Sequence, residues 1–199
     1  MIPVLSSAEL ILETPRLRLR PYALDDEDVA RDVLCDPAVT RYVCDPKTPE
    51  QVAEAMSLIT RRGAGGRIGM WCAERLDTGE KIGDGVLTPI PVEADDIEWE
   101  ALVPDAYPDD QIEVGYMLKQ SAWGQGYASE ICTRLLRFAF EATTLDLVVA
   151  CTDPENAASQ RVLLKCGLRD CGMGRAYAED VPWFEITRAE WQADQASNQ

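Results

Sequence analysis

The sequence predicts an α/β fold (α+β in the sense of a mixed sheet): one central sheet, mostly antiparallel, with a parallel βαβ pair and flanking helices. Three observations predict it. Residues 111–151 read as strand, helix, strand, a unit that requires parallel strands and a right-handed crossover. Residues 67–76 and 81–91 read as two strands around Asp77-Thr78-Gly79-Glu80, a hairpin turn, so that pair is antiparallel. Finally, 199 residues at 46% hydrophobic and 27% charged suit a single soluble domain over 1–199 with a sizeable core.

Along the chain, 13–21 alternates apolar and basic residues, a first strand with one face buried. Asp25 or Asp26 starts a helix reaching about Cys35, which Asp36-Pro37 breaks. Thr48 as N-cap and Pro49 at the first helical position open a second helix, with Val52, Ala55, Met56 and Ile59 inward. After the hairpin, 91–110 is an acidic insertion carrying eight acids and no base. It reads either as a solvated flap or as an acceptor-binding element, with Trp99 and Tyr107 available for stacking.

In the next strand Val114, Tyr116 and Leu118 alternate with Gly115 and Met117. The helix after it places Ala128, Ile131, Leu135, Phe138, Ala139 and Ala142 on one face. Residues 145–151 are a near-continuous apolar strand, as expected of one covered on both sides. Asp153-Pro154 caps a further helix that stops at Gly167. Residues 168–173 and 176–187 close the sheet as a hairpin, 188–192 form a short helix, and the last residues fray.

Thirty-five acids against nineteen bases give a net charge of −16. That disfavours nucleic acid and anionic membranes and favours a cationic acceptor, unless the surface serves solubility alone. No apolar run approaches a membrane span, and the first twelve residues lack the basic residues of a secretory signal. The seven cysteines form no C-x-x-C pattern and there is no histidine. Reduced thiols, a cytoplasmic location and no metal follow as expectations.

Gly124 and Gly126 form a turn that opens a helix, whose unpaired N–H groups and dipole make an anion site suited to phosphate. The dinucleotide fingerprint fits poorly. Its third glycine is replaced by Ser129, and 119–123 separate the strand from Gly124. Instead, Trp123-Gly124-Gln125-Gly126-Tyr127-Ala128 after Glu113-Val114-Gly115-Tyr116 resembles motif A, Q/R-x-x-G-x-G/A, of the GNAT acetyltransferases. Trp123 stands for Gln or Arg, as is usual in the Rim-type branch of ribosomal-protein-alanine N-acetyltransferases. The opening Glu13-Thr14-Pro15-Arg16-Leu17-Arg18-Leu19-Arg20-Pro21 is similar to that branch too. Residues 154–168 resemble motif B, N-x-x-S/A…K-x-G-F, with Leu168 for Phe, so the resemblance spans 13–191.

The resemblance implies the GNAT acyl-CoA N-acyltransferase fold, with acetyl-CoA as co-substrate lying where the two parallel strands splay apart. Its pyrophosphate would sit at the Gly124 turn on the amides of Gln125, Gly126, Ala128 and Ser129. Its pantetheine arm would run along Met117 and Leu118, whose N–H groups would face the thioester oxygen, and Asn156 would contact the arm. The activity implied is direct acetyl transfer to a primary amine: a protein N-terminus, a polyamine, an amino acid or an aminoglycoside. A homodimer stays open. Without histidine, the base is a carboxylate acting directly or through water, and Glu113 matches a strand glutamate used so in the family. The usual motif B tyrosine position holds Leu163, so Ser159 is the substitute proton donor, with Tyr177 or solvent as alternatives. A non-catalytic acyl-CoA sensor is the rival reading.

Overall fold

The computed structural model describes residues 2–197. Its strands are β1 (Leu12–Glu13), β2 (Leu17–Pro21), β3 (Gly69–Arg75), β4 (Lys81–Pro89), β5 (Ile112–Leu118), β6 (Leu147–Cys151), β7 (Arg169–Ala176) and β8 (Glu179–Thr187). They form one sheet in the order β1-β2-β3-β4-β5-β6-β8-β7. Neighbours run antiparallel except β5 and β6, the parallel pair expected from the βαβ reading. The helices are α1 (Glu27–Leu34), α2 (Pro37–Thr40), α3 (Pro49–Ile59), α4 (Tyr127–Ala142), α5 (Ala157–Lys165) and α6 (Arg188–Ser197).

Strand alternation divides the helices between two faces. On one, Gly85 lets α4 approach: a Cβ there would meet Ile131 Cγ2 at 2.5 Å. Trp71, beside Gly85 in register, packs edge-on against Phe138 of α4 with centroids 5.5 Å apart. On the other face Arg20 reaches Asp26 at the start of α1 at 2.7 Å, and α3 packs against α1. The second helix starts as expected, with a capping box: Gln51 N–H donates to Thr48 Oγ1 at 3.3 Å and Thr48 N–H to Gln51 Oε1 at 2.8 Å.

Several features differ from expectation. The first strand is split into β1 and β2, because Thr14 Oγ1 accepts the N–H of Leu17 at 2.8 Å and folds the chain into a turn. Helix α5 starts at Ala157, since the Asp153 carboxylate closes a turn by accepting Glu155 N–H at 2.6 Å. The 91–110 segment is anchored: Trp99 and Leu102 are 7% and 4% exposed. Helix α6 runs on to Ser197 because Trp191 packs on Phe140, with ring centroids 5.6 Å apart. Asn198 and Gln199, expected to fray, lie outside the described residues.

Candidate active site

The turn before α4 is built from glycine conformations. Gly124 and Gly126 have φ of 71° and 82°, a region closed to most side chains. The first helix bond runs from Glu130 N–H to the Gly126 carbonyl, and no side chain caps the helix. The preceding amides, Ala128 and Ser129 included, are therefore free for an anion. A groove of about 550 Å³ opens there, lined by Arg16, Gln125, Gly126, Ser129, Arg134 and Lys165 among others. Arg134 Nη1 is buried without a hydrogen-bond partner. Glycine amides, a helix dipole and several cations suit a phosphate-bearing ligand.

Arg16 is a site residue that sequence reasoning missed. Its Nη1 donates to the Gln125 carbonyl at 2.9 Å, and its guanidinium lies 4.4 Å from the Tyr127 ring centroid. Glu130 holds it at 2.6 Å. The alternation of apolar and basic residues over 13–21 gave no reason to place this arginine beside a turn more than a hundred positions away.

The gap between the parallel strands is real. Their ladder registers at one pair, Glu113 with Val149. Farther along, β5 pairs with β4 alone. Ladder bonds bracket the strand, from Ile90 N–H to the Gln111 carbonyl and from Lys119 N–H to the Ile82 carbonyl, both at 2.9 Å. The alternation between them turns the main chain of the odd residues toward β4, and that of Tyr116 and Leu118 toward the gap. The expectation for Met117 is corrected accordingly: its N–H faces β4 and the Asp84 carboxylate, while Leu118 N–H faces the gap. Trp123, in the family's Gln/Arg position, donates its indole N–H to the Leu118 carbonyl at 2.7 Å and ties the turn to the strand.

Across the gap, Asn156 caps α5, its Oδ1 accepting Ser159 N–H at 3.1 Å. Ser159 Oγ lies 3.1 Å from the Tyr116 hydroxyl. Tyr116 was legible only as one apolar position of an alternating strand. Its neighbour Ser159 thus sits on the α4–α5 side of β5, opposite the face that carries Glu113.

Glu113 is 7% exposed, and the Tyr177 hydroxyl donates to its Oε1. Burial pushes its carboxyl up to about 7, against the lowering effect of that bond. Tyr177 is set over Glu113 by a tight turn in which it and Ala178 have φ of 52° and 59°. The acidic segment docks that turn: Tyr177 and Ala178 N–H groups donate to the Pro91 and Val92 carbonyls at 2.9 and 3.0 Å. Glu113 lies opposite Thr88, whose buried hydroxyl has no partner. On the same face Asp84, 6% exposed, is likewise pushed up to about 7 by burial, with only the Met117 N–H opposing.

The family described as "Acetyltransferase (GNAT) domain" matches residues 16–169. The chain belongs to the GNAT acetyltransferase family. It is an acyltransferase, 32% identical to an uncharacterised N-acetyltransferase, YoaA, of Bacillus subtilis over 84% of this chain and 87% of that one. It is 29% identical to the FsC-acetyl coenzyme A-N(2)-transacetylase of Aspergillus fumigatus, over 92% of this chain and 79% of that enzyme. Among solved structures, the GNAT fold is shared with RimL, a ribosomal L7/L12 alpha-N-protein acetyltransferase determined with coenzyme A. There the TM-score is 0.67 at 16% identity, covering 89% of this chain and 97% of RimL.

Proposed function

We propose that this GNAT enzyme transfers the acetyl group of acetyl-CoA directly to a primary amine in a ternary complex. One observation carries the reading: Glu113, a buried carboxylate with no ion-pair partner among the described residues, lies on the strand whose far end borders both the gap and the uncapped glycine turn. Gly124, Gln125, Gly126, Ala128 and Ser129 would hold the pyrophosphate on main-chain amides, with Arg16 and Arg134 beside them. Asn156 and the gap-facing main chain of β5 would border the pantetheine arm. Bound acetyl-CoA supplies an electrophilic thioester carbon, and Leu118 N–H is placed to favour charge on the thioester oxygen.

Glu113 takes the amine proton, directly or through water, and its raised pKa suits that task near neutral pH. Ser159, hydrogen-bonded to Tyr116, protonates the departing thiolate. Proximity supplies much of the rate. RimL's complex with coenzyme A and the coenzyme in the Aspergillus enzyme's name support the co-substrate. The test is thiol release from acetyl-CoA across a panel of amines. Glu113→Gln should keep acetyl-CoA affinity in calorimetry and lose roughly 10²–10⁴-fold in turnover. Parent-like turnover in that variant would overturn the assignment.

A further inference from the structure

All seven cysteines are free thiols, and two of them meet at the wall of the groove beside the glycine turn. Cys166, the C-cap of α5, sits in a notch of α4 made by residues one turn apart. Its Sγ donates to the Ser129 carbonyl and accepts from the Thr133 hydroxyl, both at 3.5 Å. Cys132 lies between those two on the same helix face, and its thiol donates to Cys166. Cys132 is fully buried, whereas Cys166 is partly exposed. Ser129, Thr133 and Lys165, which flank Cys166, all line the groove, together with Arg134 and Arg137. A small neutral oxidant in the groove therefore reaches Cys166 first, with Cys132 behind it. The bond from Cys132 lowers the Cys166 thiol below its ordinary value against the burial that raises it, and Thr133 and Lys165 add to the lowering. Burial instead pushes up the thiols of Cys44, Cys72, Cys151 and Cys171.

We propose that Cys166 and Cys132 are a modification site: a peroxide-reactive thiol and its resolving partner, which join α4 to α5 through a reversible disulfide. The Cys166 thiolate attacks one oxygen of hydrogen peroxide. The O–O bond breaks, a sulfenic acid forms, and the departing hydroxide takes up a proton to become water. The Cys132 sulfur then attacks the Cys166 sulfur. The S–S bond forms as the S–O bond breaks, and the Cys132 proton leaves with the hydroxide as a second water. Two thiols are oxidised and one peroxide is reduced. The sulfurs start in hydrogen-bond contact and need only close to about 2.05 Å. The pairing stands apart from the function proposed above, but one consequence rests on it: acetyl-CoA seated in the groove covers the route to Cys166.

The experiment treats the full chain with hydrogen peroxide and follows it by intact mass and peptide mapping. The parent should lose two hydrogens, regain them with dithiothreitol, and yield linked peptides that carry Cys132 and Cys166. Cys132→Ser should stop at a sulfenic acid on Cys166 that dimedone captures, and Cys166→Ser should leave Cys132 unmodified. Acetyl-CoA at about ten times its Kd should slow the pairing about tenfold, the factor by which it depletes the open groove. Two unoxidised thiols at these positions in the parent, or a disulfide between other cysteines, would overturn the pair whether or not the variants fold. A disulfide that forms at the same rate with acetyl-CoA bound would overturn the groove as its route. Acetyl-CoA that fails to bind in calorimetry would overturn the coenzyme reading, while the peptide map still decides the disulfide.

Discussion

Glu113 and Tyr177 show how two residues set one titration. The proposed base must be ionised to work, so a carboxyl held at about 7 would put the acidic limb of kcat/KM near neutrality. The Tyr177 hydroxyl donates to Glu113 and favours its charged form. Tyr177→Phe should therefore move that limb to higher pH, by about one unit for a charge-assisted bond. A pH–rate profile checks it, and an unmoved limb would separate Tyr177 from the base. Glu113 stood out as a candidate base through the family resemblance, in a chain without histidine. Asp84 and Thr88 did not, because strand alternation says which residues share a face, not which lack partners. Tyr177 was legible only as a spare acid, and its contact with Glu113 depends on a turn that no local pattern reveals.

At the scale of elements, the glycine turn and α4 could be read from the chain because their chemistry is local. Gly126 combines φ of 82° with the start of the helix, so Gly126→Asp adds strain, bulk and negative charge at one point. Acetyl-CoA affinity in calorimetry should drop by about two orders of magnitude or more, the worth of a few kcal/mol. Undiminished affinity would remove the phosphate assignment. The 91–110 segment was misleading, since eight acids mask what its apolar residues do. Trp99 is 7% exposed and belongs to the core, so it is not presented for stacking an acceptor. Trp99→Ala should cost about 3–5 kcal/mol of stability. Denaturant melts measure this, and a loss below about 1 kcal/mol would return the segment to solvated surface. The helix boundary at Ala157 escaped for a similar reason: Asp153-Pro154 suits a turn as well as a helix start, and only Asn156's bond to Ser159 separates them.

For the whole molecule, buried acids of two kinds pull stability in opposite directions with pH. Burial raises Asp26, but the bonds from Arg20, Ala23 and Lys81 outweigh it and hold its carboxyl below the ordinary range. Its contribution is present above the unfolded pKa and lost as pH falls through the folded one. Asp84 and Glu113 have the opposite sign. Their carboxyls move from ordinary values of 3.8 and 4.5 up to about 7, so the stability that goes with the protonated form is full below those ordinary values and is lost as pH rises from them through 7. Asp84→Asn removes one of these losses at nearly constant shape. The variant should match its parent near pH 4, gain on it between about pH 4 and 7, and stay ahead above that by on the order of a few kcal/mol. Asp26→Asn should show the reverse slope, losing ground as pH rises toward the ordinary value of 3.8 and holding a constant deficit well above it. Denaturant melts of parent and variants from about pH 2 to 8 trace the difference curves. A pH-independent difference for Asp84→Asn would mean that its carboxylate is solvated or neutralised in the fold, against the burial that raises it.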